Sequence, residues 1–120
     1  MTVKDFFDKI ENPILLSYYN GNTSNSEYND NTGKAYLAKY HEDGTIKTLY
    51  VGNFVNGNFN DDTGNAWDIA YSDEYNAYFY NTGIFQDGEA INKSSIPKSI
   101  KDIKQITSNY TFECDLKWKK

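Results

Sequence analysis

One histidine, one cysteine and a scatter of carboxylates are the side chains of this 120-residue chain with reactive potential. His41 lies in Tyr40-His41-Glu42-Asp43-Gly44, which reads as a turn, and a lone turn His next to two acids is usually a solvated residue. Cys114 is the single cysteine, so no intrachain disulfide can form, and one Cys with one His cannot build the usual zinc site. There is no nucleophile-elbow serine and no glycine-rich phosphate loop leading into a helix. All 12 cationic residues are Lys, so the bidentate guanidinium clamp for phosphate is missing. Asp73 and Glu74 are adjacent, and neighbours on a strand point to opposite faces, so they are a poor acid pair for glycoside cleavage. Asn29-Asp30-Asn31-Thr32-Gly33 and Asn60-Asp61-Asp62-Thr63-Gly64 offer the hard oxygens calcium takes. They lack the spacing and closing Glu of an EF-hand, and the same residues make tight turns. The expectation is a protein with no catalysis, no cofactor and no metal.

Binding chemistry is better represented. Tyr, Phe and Trp make up 17% of the chain, enough to fill a core despite the low apolar fraction of 38%. Tyr71, Tyr75, Tyr78, Phe79 and Tyr80 crowd one stretch, with Asp73 and Glu74 among them. Alternation along a strand sends some of these rings outward, where Tyr mixed with acid makes a good protein-binding surface. The candidate partner-binding residues are therefore Asp61, Asp62, Asp73 and Glu74, pairing with Lys or Arg of a partner, and Tyr75, Tyr78 and Tyr80 as anchoring rings. The net charge is −5, and it is unevenly spread. Positions 11–90 hold twelve acids against three lysines, whereas positions 91–120 hold seven lysines against three acids. An acidic body and a basic end follow; either the two attract each other or the body seeks a basic surface elsewhere. Direct nucleic-acid binding is not expected, because it needs a basic face.

The elements that must carry these residues are set by an internal echo at a spacing of 31. Tyr19-Asn20-Gly21-Asn22 returns as Tyr50-Val51-Gly52-Asn53, and Asn29-Asp30-Asn31-Thr32-Gly33-Lys34-Ala35-Tyr36 returns as Asn60-Asp61-Asp62-Thr63-Gly64-Asn65-Ala66-Trp67. Gly52-Asn53-Phe54-Val55-Asn56-Gly57 returns as Gly83-Ile84-Phe85-Gln86-Asp87-Gly88. Fixed-period self-similarity marks a repeat architecture. Each unit is rich in β-branched and aromatic residues and holds a two-residue hairpin signal such as Asn56-Gly57. The fold class is α+β, mostly β: an antiparallel meander sheet of about three 31-residue repeats over 17–90, in a single domain spanning 1–120. Thr2-Val3-Lys4-Asp5 resembles a capping box, so 1–12 is expected to form a short helix ended by Pro13. A second short helix is expected over 97–106, with Pro97 in its first turn and Ile96, Ile100 and Ile103 on one face. Tyr110, Phe112, Cys114, Leu116 and Trp118 alternate with polar residues, which predicts a half-buried C-terminal strand with Cys114 on its core side.

Tyr50-x-Gly52-x-Phe54-x-Asn56-Gly57 resembles the opening of a MORN-type repeat, Y-x-G-x-[WF]-x-x-G. Gly83-Ile84-Phe85-Gln86-Asp87-Gly88 resembles a second opening with Asn81 in place of Tyr, and Tyr19-Asn20-Gly21 a degenerate first one. The family's unit is shorter than 31 residues; this chain inserts the Asp-Thr-Gly segment. The resemblance implies an extended, twisted sheet used as a binding platform without enzymatic chemistry. In size, acidity and lack of a catalytic set, the chain also resembles toxin-immunity proteins and phage-encoded inhibitors of bacterial defence, anti-CRISPR proteins among them. The expected function is a non-enzymatic, acidic protein-binding module that blocks a basic, nucleic-acid-handling partner. The alternative is a glycan- or cell-wall-binding repeat, whose rings stack on sugars. Met1-Thr2-Val3-Lys4-Asp5-Phe6-Phe7 has no apolar signal region, and no apolar run reaches the roughly 20 residues of a membrane span, so a cytoplasmic location is expected. An open meander has unpaired edges, which makes a homodimer through sheet edges a further expectation.

Overall fold

The computed structural model of this protein describes residues 16–119. The helix expected over 1–12 lies outside them. The strands are β1 Leu16–Asn20, β2 Thr23–Ser24, β3 Glu27–Tyr28, β4 Tyr36–Tyr40, β5 Ile46–Val51, β6 Phe54–Val55, β7 Asn58–Phe59, β8 Asp61–Ser72, β9 Ala77–Gln86, β10 Glu89–Ala90 and β11 Pro97–Lys98. Among the described residues one helix, α1, runs over Ile100–Thr107. The main sheet is antiparallel in the order β1-β4-β5-β8-β9-β10, with β11 also on β9; β2-β3 and β6-β7 are small separate hairpins. The mostly β, antiparallel character expected from the sequence is what the structure has.

The small hairpins follow directly from turn chemistry. Asn25 and Ser26, Asn56 and Gly57, and Asp87 and Gly88 all have positive φ at the two central positions. That is the type I′ conformation whose twist matches a two-residue β-hairpin. The third of these turns joins β9 to β10 within the main sheet, while β2-β3 and β6-β7 place their rings against one face of it. Tyr19 stacks on Tyr28 at 3.9 Å, and Tyr50 stacks on Phe59 at 4.0 Å. Phe54 meets Tyr19 and Tyr50 edge-on, each at 5.0 Å. With Leu37, Ala66, Phe85 and Ala90 these rings form one core.

Asp30 and Asp61 tie the hairpins to the sheet. The Asp30 carboxylate accepts from the Asn22 N–H at 2.8 Å and from the N–H and hydroxyl of Thr32. Asp61, 31 positions on, accepts from the Asn53 N–H at 3.0 Å and from the N–H and hydroxyl of Thr63. Burial pushes the Asp30 carboxyl up, but these bonds outweigh it and hold it below the ordinary range.

The opposite face buries a second core of Tyr36, Ala38, Leu49, Val51, Trp67, Ile69 and Tyr78, alternate residues of the same strands. Its cover is α1, through Ile103, and the tail that follows. The helix begins later than 97–106. Ser99 caps it by accepting from the Asp102 N–H at 3.1 Å, while Pro97 pairs with Phe79 as part of β11 and Ile96 faces water. Pro97 lacks an N–H, so it suits a strand edge as well as a helix start.

The expected C-terminal strand is absent. Residues 110–119 join no ladder and bend at Tyr110 and at Glu113-Cys114. They cross the face of the sheet, where the Lys117 carbonyl accepts from the Ile46 N–H of β5 at 2.7 Å and tyrosine hydroxyls make further bonds. The Glu113 N–H donates to the Tyr36 hydroxyl at 2.9 Å and the Lys119 N–H to the Tyr78 hydroxyl at 2.8 Å, while Tyr40 donates to the Asp115 carbonyl at 2.8 Å. The alternation is real, with Trp118 buried and Phe112, Cys114 and Leu116 half-buried, but it records one side facing the sheet rather than a ladder of hydrogen bonds.

The tightest packing is at two glycines. A Cβ on Gly52 would sit 2.6 Å from both the Ala66 Cβ and the Tyr50 hydroxyl, and one on Gly21 would sit 2.6 Å from the Ala35 Cβ and the Tyr19 hydroxyl. Gly52→Ala and Gly21→Ala are each expected to lower stability by about 1–3 kcal/mol, the usual cost of overpacking. Urea titration of the two variants checks this; a midpoint unchanged from the parent would refute the close contact.

Candidate functional cleft and acidic turn

The seven residues singled out from the sequence do not form one surface. Asp61 is 2% exposed, and its carboxylate is taken up by the Asn53 and Thr63 bonds, so it serves the turn and cannot reach a partner. Tyr78 is 1% exposed; its hydroxyl donates to the Ile46 carbonyl at 2.6 Å and receives the Lys119 N–H. It is a core ring, corrected here from a surface anchor, because its place in β9 points it under the tail. Tyr80 shares that face and is half-buried edge-on to Trp67 at 5.9 Å. Asp62 is exposed, at the start of β8.

Asp73, Glu74 and Tyr75 do come together, at the turn joining β8 to β9. Asn76, with φ 51°, closes that turn, as Asn can do at little cost. All three residues are exposed, and Tyr75 is 65% exposed. The Tyr75 ring stands edge-on to Phe79 at 5.7 Å. Beside it a cleft of about 630 Å³ opens on the face of the sheet opposite the tail. Ala70, Phe79 and Asn81 line it from the sheet, Glu74 and Tyr75 from the turn, and Lys93, Ser94 and Ser95 from the segment between β10 and β11.

Next to this cleft lies a buried polar pair that sequence reasoning did not single out. Asn81 donates to the Asp68 carboxylate at 2.8 Å and accepts from the Ser94 N–H at 2.7 Å, which anchors the outer segment. The two residues face each other across β8 and β9. The signal for them was in the sequence as a broken echo: Asp68 stands 31 positions after Leu37, and Asn81 stands 31 after Tyr50. At the earlier positions, both buried in the ring-lined core, the chain places a leucine and a ring.

Burial pushes the Asp68 carboxyl up to about 6, against smaller opposing effects of the Asn81 bond and the charge of Lys93. Among the described residues, no group of three or more His, Cys, Asp or Glu is placed to hold a metal ion, and no helix is long and apolar enough to cross a membrane. No protein-family model, curated protein or solved structure matches the chain.

The Asp68 shift has a definite sign. Unfolded, the carboxyl titrates near 3.8; folded, near 6. The folded chain keeps the proton through a range in which the unfolded chain has lost it. This contribution to stability is therefore full below pH 4 and lost as pH rises through 6. Asp68→Asn can still accept the Asn81 bond without the charge. It is expected to remove this slope and to raise stability at pH 7 by about 3 kcal/mol at most. Denaturant titrations of parent and variant from pH 4 to pH 7 check it; parallel curves across that range would refute it.

Proposed function

We propose that this protein is a non-enzymatic, acidic protein-binding module that blocks a basic partner, one that handles nucleic acid, in the manner of toxin-immunity or phage anti-defence proteins of the anti-CRISPR-like kind. The observation that carries the reading is the β8–β9 turn, where Asp73, Glu74 and a largely exposed Tyr75 project together. Carboxylates beside an exposed ring supply both steering and an anchor. Asp62 adds charge elsewhere, while Asp61 and Tyr78 belong to the scaffold.

We read the scaffold as three MORN-like units of 31 residues. In support, the Asn29 N–H to Asn22 carbonyl bond has counterparts at Asn60 and Asn53 and at Ile91 and Ile84. The glycan-binding alternative has less support, because Tyr50 and Tyr78 are inside and leave fewer rings free to stack on sugars.

The test is capture of binding proteins from the source cell and measurement of affinity against salt. A captured protein with a basic surface, bound more weakly as salt rises and lost by the double charge reversal Asp73→Lys with Glu74→Lys, is the expected result. Affinity indifferent to salt, or binding that survives the reversal, would sink the reading; binding on a glycan array in place of protein capture would favour the alternative.

A further inference from the structure

Tyr75 is a large ring left in water, packed only along one side against Phe79. The two rings are inclined at 70°, so they form a corner rather than a stack. Glu74 lines the same cleft, and its carboxylate has no hydrogen-bond or ion-pair partner among the described residues. Lys93, on the opposite wall, has its ammonium 3.4 Å from Glu89, which offsets its charge. The face of an aromatic ring attracts cations through its quadrupole, and a neighbouring carboxylate adds to that attraction. This chain already uses the device twice: Lys39 lies 5.6 Å from the Phe59 ring centre and Lys119 lies 5.7 Å from that of Tyr71. The Tyr75–Phe79 corner has the rings and the acid but no lysine of its own over either ring among the described residues.

We infer that the cleft between the β8–β9 turn and the segment at 93–95 is a socket for one organic cation, the guanidinium or ammonium end of an Arg or Lys side chain on the partner protein. The inference rests on the protein-binding reading above and adds the chemical group that enters. Tyr75 and Phe79 supply ring faces, and Glu74 supplies the countercharge. An Arg side chain suits the corner especially, since its flat guanidinium stacks on a ring while its edge bonds a carboxylate.

The experiment uses the full chain and small probes, so it does not wait for the partner. Acetyl-arginine amide and acetyl-lysine amide are titrated while ring resonances of Tyr75 and Phe79 are followed by NMR. Acetyl-citrulline amide is the neutral isostere of the first, and N-acetylglucosamine stands for sugars. The cationic probes should shift both rings, with citrulline about fivefold weaker or more. Glu74→Gln and Tyr75→Leu should each weaken the cation about threefold or more, and Tyr75→Phe should retain it. Tyr75 is exposed, so these variants should keep the parent's circular dichroism. Equal binding of citrulline and arginine, or tighter binding of the sugar, would overturn the socket. If the cations shift neither ring while a basic protein is still captured, the socket is wrong and the protein-binding reading stands. If the cations bind as described but no basic protein is captured, the socket stands and that reading falls.

Discussion

A phenol ring laid under a glycine is the contact on which this architecture turns. Tyr50 runs beneath Gly52 so closely that a methyl group there would collide with its hydroxyl, and that hydroxyl reaches the Asn53 carbonyl at 2.7 Å. The contact does two jobs. It buries a whole ring between hairpin and sheet, and it adds a second bond to the Asn53 carbonyl, which also accepts from the Asn60 N–H at 3.1 Å. Tyr19 and Gly21 make the same contact one hairpin earlier. With the Asp30 and Asp61 bonds, it holds hairpins as short as β2-β3 and β6-β7 against the sheet, since two-stranded ribbons are barely stable alone.

Much of this was legible from local chemistry. Asn56-Gly57 and Asp87-Gly88 announce two-residue turns because few other pairs tolerate two positive φ values in succession. Asn25-Ser26 was harder to read, since Ser26 holds the left-handed position without being glycine. The tail was misread for a physical reason: alternation says that one side of an extended chain is buried, and says nothing of what its backbone bonds to. Hydroxyls of Tyr36 and Tyr78 took that role, and they lie far from the tail in sequence. Pro97 was likewise open to two uses, and the pairing with Phe79 decided between them.

The candidate site was only partly visible. Local composition located Asp73, Glu74 and Tyr75 at one turn, but it could not sort Tyr78 from Tyr75, because that depends on which side of β9 the tail covers. Asp61 looked like a free acid and is a structural bond acceptor, as its echo Asp30 is. One wall of the cleft is Asn81, which departs from the repeated pattern as does its partner Asp68, and another is the outer segment that Asn81 pins through Ser94. A repeat makes such departures informative: where the template is apolar and the copy is charged, packing alone does not account for the change.

The tail's attachment has a mechanical side. Strand pairs are held by ladders of bonds that open and close together, whereas 110–119 is fastened to the sheet at separate points, by tyrosine hydroxyls and by the bond from the Ile46 N–H to the Lys117 carbonyl. Such a seam parts stitch by stitch, each fastening free to let go without its neighbours. Parting along that margin would leave the pleated half shut and uncover Tyr36, which packs edge-on to Phe112, and Trp67, which packs against Tyr110.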